Sequence, residues 1–157
     1  MKIKNRVKIL VIVIIAIISS VFFACFVKRP VKIVAVHHRS SGFSDVLVTH
    51  FPITDRGKIH WWMKNKDILR NQYGTPKNEY ADNFNINFWL FGDGYMKEDK
   101  YERLCFDDMK TEQKCIDKNK VFSVSKSFNG SVNLMVYDGI YGKNGQGKWV
   151  KKRFAMQ

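Results

Sequence analysis

Four histidines, two acidic clusters and three cysteines are the residues of this chain with types suited to chemistry. His37 and His38 are adjacent, and on a strand adjacent side chains point to opposite faces, which is poor geometry for a shared metal. His50 and His60 complete the set, and all four read as ordinary surface or loop histidines. Asp107-Asp108, with Asp93 and Asp99 upstream, could gather around a cation, but EF-hand spacing is missing and a solvated turn accounts for them. Gly92-Asp93-Gly94 has no helix after it to make a phosphate loop. Serines occur without a G-x-S-x-G elbow or an S-x-x-K pair, so no activated nucleophile is visible. The expectation is no catalytic residue, no metal and no cofactor.

Cys105 and Cys115 have a spacing that fits neither C-x-x-C redox chemistry nor standard zinc binding. In an oxidising compartment a structural disulfide is the default for such a pair.

The compartment follows from a run with no charge in it, Ile9 to Val27. As a helix it would span roughly 28 Å, close to the hydrocarbon thickness of a bilayer. Lys2, Lys4, Arg6 and Lys8 precede it, and Pro30 closes it. Positive-inside reasoning gives a cytoplasmic basic tail (1–8), a single-pass anchor (9–29) and a domain outside the bacterial inner membrane (30–157). The lipid bilayer is then a partner through Ile9 to Val27. A cleaved signal fits less well, because the run is long and lacks a clean small-x-small site. Lipoprotein processing at Cys25 has Ala24 before it but two bulky residues, Phe22 and Phe23, before that.

Residues 30–157 carry 21 Lys/Arg against 14 Asp/Glu, a net +7, and hold every Trp and Tyr of the chain. That is one aromatic-rich basic domain with a real core. Basic charge often signals nucleic acid, but an exported domain meets anionic headgroups or acidic proteins instead, so no nucleic-acid partner is expected.

These groups are positioned by an α+β domain: a mostly antiparallel sheet with one main helix, after the N-terminal transmembrane helix. Strands are expected at Val31–Val36 and Asp45–Thr49, as a hairpin around Ser40-Ser41-Gly42. The helix runs from Asp55 to Tyr73, with Thr54 or Asp55 as cap and Gly74 as stop. Ile59, Trp62, Met63, Leu69 and Tyr73 share its core face. Trp61 and Ile68, seven apart on the other side, form a candidate partner-docking patch, or are covered by a second layer or by the membrane surface. Phe84–Leu90 alternates as a half-buried strand. Further strands are expected at Tyr101–Phe106, Val121–Ser125 and Val132–Tyr137, and a short edge strand at Trp149–Lys151. Asp138-Gly139 and Asn144-Gly145 are competing hairpin turns.

The stretches RPVKIVAVH (29–37), SDVLVTHFPITDRGKIHWWMKNKDIL (44–69) and FGDGYMKEDKYERLCFDDMKTEQKCI (91–116) resemble an uncharacterised enterobacterial family of putative membrane proteins, a domain-of-unknown-function family. The resemblance covers nearly the whole chain. It implies an inner-membrane location and a small exported domain, and carries over no catalytic residue.

Two functions fit. One is a non-catalytic periplasmic module that binds a protein or envelope component, in a specific form an immunity-type protein neutralising a toxin. The alternative is a membrane-surface enzyme or ligand-binding domain acting on an anionic lipid or cell-wall fragment, with a pocket near His50, His60 and the aspartates.

Overall fold

A computed structural model describes residues 2–27, 29–39, 42–76 and 83–152, with the side chains of the first helix described from Arg6 to Phe22. The Cys25 side chain and the Ser40-Ser41 part of the expected turn lie outside the described residues. The chain divides into two compact units, Met1–Pro30 and Val31–Gln157.

The first unit is helix α1, Lys2–Val27. Its large apolar side chains are exposed from Val7 to Phe22. Among the described residues no helix is long and apolar enough to cross a membrane; the described side chains stop at Phe22, before the apolar run ends at Val27.

The second unit is built on two sheets. Strands β1 (Lys32–His38) and β2 (Phe43–Thr49) form the expected antiparallel hairpin. Helix α2 (Asp55–Tyr73) follows, and β3 (Phe84–Leu90) returns beside β2. That pair is parallel, with Val46 opposite Phe88. The helix between the strands is the crossover that parallel pairing requires. The strands β7 (Lys120–Lys126), β8 (Val132–Val136), β9 (Gly139–Lys143) and β10 (Trp149–Lys151) extend the sheet antiparallel to an edge. Both regions turn the chain: Tyr137-Asp138 joins β8 to β9, one position before the expected Asp138-Gly139 pair since Gly139 already opens β9, and Asn144 opens the β9–β10 turn by accepting hydrogen bonds from the N–H groups of Gln146 and Lys148.

A second sheet of three short strands was not expected as such. It contains β4 (Met96–Lys97), β5 (Arg103–Cys105) and β6 (Gln113–Asp117), in the order β4-β6-β5. Strands of two or three residues leave too little alternation to read from sequence.

Helix α2 has both expected ends. The Thr54 hydroxyl accepts from the Gly57 N–H at 3.1 Å, and Gly74 stands at φ 59°, ψ 34° with its N–H bonded to the Arg70 carbonyl. This left-handed cap suits a residue without Cβ.

The main core lies between α2 and the large sheet. Phe84, Ile86 and Phe88 of β3 point into it with Val46, Val48, Trp62, Leu69, Phe122 and Val124. Rings converge on Phe88, where Phe51 and Phe122 pack at 5.5 and 5.4 Å and Trp61 and Trp62 meet it edge-on. A smaller core of Leu47, Phe106 and Ile116 lies on the other side, with Val34, Ala35 and Trp89 packed on it. Strand β2 serves both cores, which explains its consecutive apolar residues Val46-Leu47-Val48. In β1 the register shifts between Ile33 and Ala35, so Ile33 and Val36 join the main core while Val34 and Ala35 join the small one.

Candidate functional site

The β1 strand delivers His37 toward the small core, where it is 6% exposed. Its ring lies flat on Phe106, 3.8 Å between centroids at 11°. Nδ1 faces both oxygens of Asp108, at 2.9 and 2.8 Å, and Nε2 faces the Tyr95 hydroxyl at 2.8 Å. With the proton on Nδ1, the imidazole donates to Asp108 and accepts from Tyr95. Asp108 comes from the β5–β6 turn and Tyr95 from the segment before β4, so one side chain of the large sheet holds two loops of the small sheet. Read as chemistry, an Asp–His–Tyr row could pass a proton. Burial, with the Asp108 charge second, raises the Tyr95 pKa and keeps the phenol neutral, which disfavours it as base or nucleophile. The row is a clasp.

Asp45 stands opposite His37 in the β1–β2 ladder and is fully buried. Arg39 Nε, Trp89 Nε1 and Asn87 Nδ2 donate to it at 2.6, 2.7 and 3.2 Å. A buried carboxylate answered by one cation and two neutral donors is satisfied, and this one ties the strand bearing His37 to β3.

The other nominated residues are dispersed. His38 faces Ser44 at 3.2 Å and donates to the Tyr73 carbonyl. His60 is exposed, and His50 occupies a turn with φ 56°. Asp99 pairs with Arg103 and Asp107 with Lys114. Asp93 is exposed in a turn. Among the described residues no group of three His, Cys, Asp or Glu side chains could hold a metal.

Cys105 and Cys115 are direct partners in the β5–β6 ladder, their sulfurs at disulfide distance, 2.07 Å. The bridge sits beside Phe106, the ring that carries His37.

The Trp61–Ile68 pair does not form one patch. Trp61 leans inward onto Phe51 and Phe88, at 5.1 and 5.7 Å, and only Ile68 is exposed. The indole is long enough to reach the core from the flank of the helix, whereas Ile68 is not. Met63, expected on the core face, is exposed.

Exposed apolar surface gathers instead at the start of α2. A cleft of about 440 Å³ is lined by Ile53, Thr54, Asp55, Lys58, Asn119, Lys120, Val121, Tyr137 and Asp138. Ile53 is 91% exposed and Tyr137 97%. Neither His50 nor His60 lines this cleft. Asp138 accepts from Lys151 at 2.9 Å. The Asp55 pKa is raised, first by burial and then by its hydrogen bond with Asp138; that of Asp138 is lowered, first by Lys151 and then by Asp55. Sequence reading placed Asp55 only as a helix cap and Asp138 only as a turn residue; their meeting depends on the contact between α2 and β8.

Residues 2–153 match the family described as enterobacterial putative membrane protein (DUF943). No curated protein and no solved structure matches the chain.

Proposed function

We propose, from the premise that this chain belongs to the DUF943 family of enterobacterial putative membrane proteins, that it is a single-pass inner-membrane protein presenting a periplasmic domain that binds a protein partner. The anchor reading is supported by the apolar run Ile9 to Val27, which lies within a helix whose large apolar side chains are exposed from Val7 to Phe22; such a surface calls for lipid. Lys2, Lys4, Arg6 and Lys8 favour a cytoplasmic N-terminus. The Cys105–Cys115 pair at disulfide distance suits an oxidising compartment.

The observation that carries the binding reading is the cleft at the start of α2, with Ile53 and Tyr137 almost wholly exposed along it. Large apolar side chains displayed together beside charged groups are the composition of an interface. The specific form of this reading is neutralisation of a toxin acting in the periplasm or at the membrane.

A photo-crosslinking amino acid in place of Tyr137, in cells expressing the full chain, tests the binding reading. A discrete adduct that is absent when the same probe replaces exposed Gln146 is expected; identical patterns at both positions would sink it. A periplasm-dependent reporter fused to the C-terminus must be active. The toxin form requires that deletion sensitise cells to a toxin-positive competitor.

A further inference from the structure

Lys58 meets Asp55 through its charge alone. It is 6% exposed, yet among the described residues its ammonium makes no hydrogen bond and no ion pair. Burying a charge without a partner is costly, so such a group is answered by solvent or by a ligand. Its tip is not sealed in. The enclosed side-chain atoms lacking a hydrogen bond, among the described residues, are Asn85 Oδ1 and Arg103 Nε. The Lys58 ammonium therefore keeps an opening to solvent, in the cleft it lines.

The acids of that cleft are already engaged. Asp138 is bonded to Lys151, and Asp55 is bonded to Asp138. Lys58 acts on Asp55 through its charge alone, without a hydrogen bond or ion pair. Lys120 adds a second cation to the lining, its ammonium 6.0 Å from the Trp89 ring. The cleft also opens at the N-terminus of α2, a helix of 19 residues whose positive dipole end adds to the same field.

We propose that this cleft is a subsite for the carboxylate side chain of an acidic peptide segment on a protein partner, with Lys58 as its counter-ion and Ile53 and Tyr137 flanking the apolar residue beside it. The inference rests on the binding reading above and gives the partner its chemistry. The charge of the exported domain, +7 over residues 30–157, favours an acidic partner. A peptide fits better than a lipid surface because the cleft carries both signs. Asp55 and Asp138 line it beside Lys58, and an anionic bilayer would meet them as like charges. The volume of about 440 Å³ also suits side chains rather than a membrane face.

The test uses the full chain in neutral detergent and two fluorescent peptides blocked at both ends, GFELG and its glutamine counterpart GFQLG. GFELG is expected to bind about tenfold or more tightly than GFQLG, the ratio for one charge-assisted contact. Lys58→Met, which keeps the buried stem, should reduce GFELG to the level of GFQLG, and Lys58→Arg should retain most of the difference. Tyr137→Ser, at a fully displayed position that leaves folding intact, should weaken both peptides together. Equal binding of the two peptides, no binding of either, or no response to Lys58→Met overturns the proposal. So does loss of binding to phosphatidylglycerol nanodiscs in Lys58→Met with peptide binding unchanged, which would make the subsite a lipid site. A specific crosslink at position 137 together with peptides that do not discriminate would leave the binding module standing and remove this inference alone.

Discussion

The His37 imidazole stacks on the Phe106 ring at 3.8 Å while Asp108, two residues beyond Phe106, takes its Nδ1. One turn of the small sheet thus grips a single side chain of the large sheet by its face and by its edge. His37→Ala removes the stacked ring and both hydrogen bonds. A loss of about 2–4 kcal/mol in urea unfolding is expected. Asp108→Asn keeps an acceptor for Nδ1, and its cost should be about 1 kcal/mol. Equal effects of the two changes would contradict the clasp.

Tyr95 supplies the pH dependence. Burial and the Asp108 charge raise its pKa, so the folded chain holds the phenolic proton more tightly than the unfolded chain. This contribution to stability is whole below the usual phenol range and is lost as pH rises through the folded-state value. Near-ultraviolet titration of tyrosinate should show a late phase that Tyr95→Phe deletes. A Tyr95→Phe protein with an unchanged late phase would assign it to another tyrosine.

The disulfide pair acts on the same layer. Its loop is short, with a sequence separation of 10, so replacing both cysteines with serine should cost about 2–3 kcal/mol. Hydrogen exchange should quicken first in β5 and β6 and in the loop bearing Asp108, with β3 and β7 protected until global unfolding. Uniform acceleration across both sheets would mean that the small sheet does not loosen separately.

The two outer-face residues of α2 are expected to behave differently. Trp61→Ala should destabilise by about 2–3 kcal/mol, because its ring packs on Phe51 and Phe88. Ile68→Ser, at an exposed position, should stay within about 0.5 kcal/mol. Thermal or urea denaturation separates the two, and a large cost at Ile68 would reveal a covering layer.

Membrane residence has its own check. Ile14→Asp combined with Ile18→Asp places two charges inside the apolar run, at about 2.5–3.5 kcal/mol each near a bilayer centre. The double variant should leave the membrane pellet on alkaline extraction, while Ser19→Ala should remain in it. Retention of the double variant would exclude the run as the anchor.

Elements governed by neighbours in the chain were legible in the residues. Thr54, Gly74 and the apolar spacing between them set both ends of α2, since caps and helical periodicity act within a few positions. Phe84, Ile86 and Phe88 announced β3 by alternation, and the wide spacing of Cys105 and Cys115 already excluded standard redox and zinc motifs. Contacts between distant segments were not legible. His37 meets Asp108 and Tyr95 across separations of 71 and 58 residues, and no local pattern encodes such a meeting. Trp61 lay on the outer line of a helical wheel, yet its length carries it into the core. Lys58 looked like one lysine among many in a basic chain. Packing alone buried its stem, left its ammonium without a hydrogen bond or ion pair among the described residues and opened it onto a cleft, because burial and partnership belong to the assembled layers and not to any segment read singly.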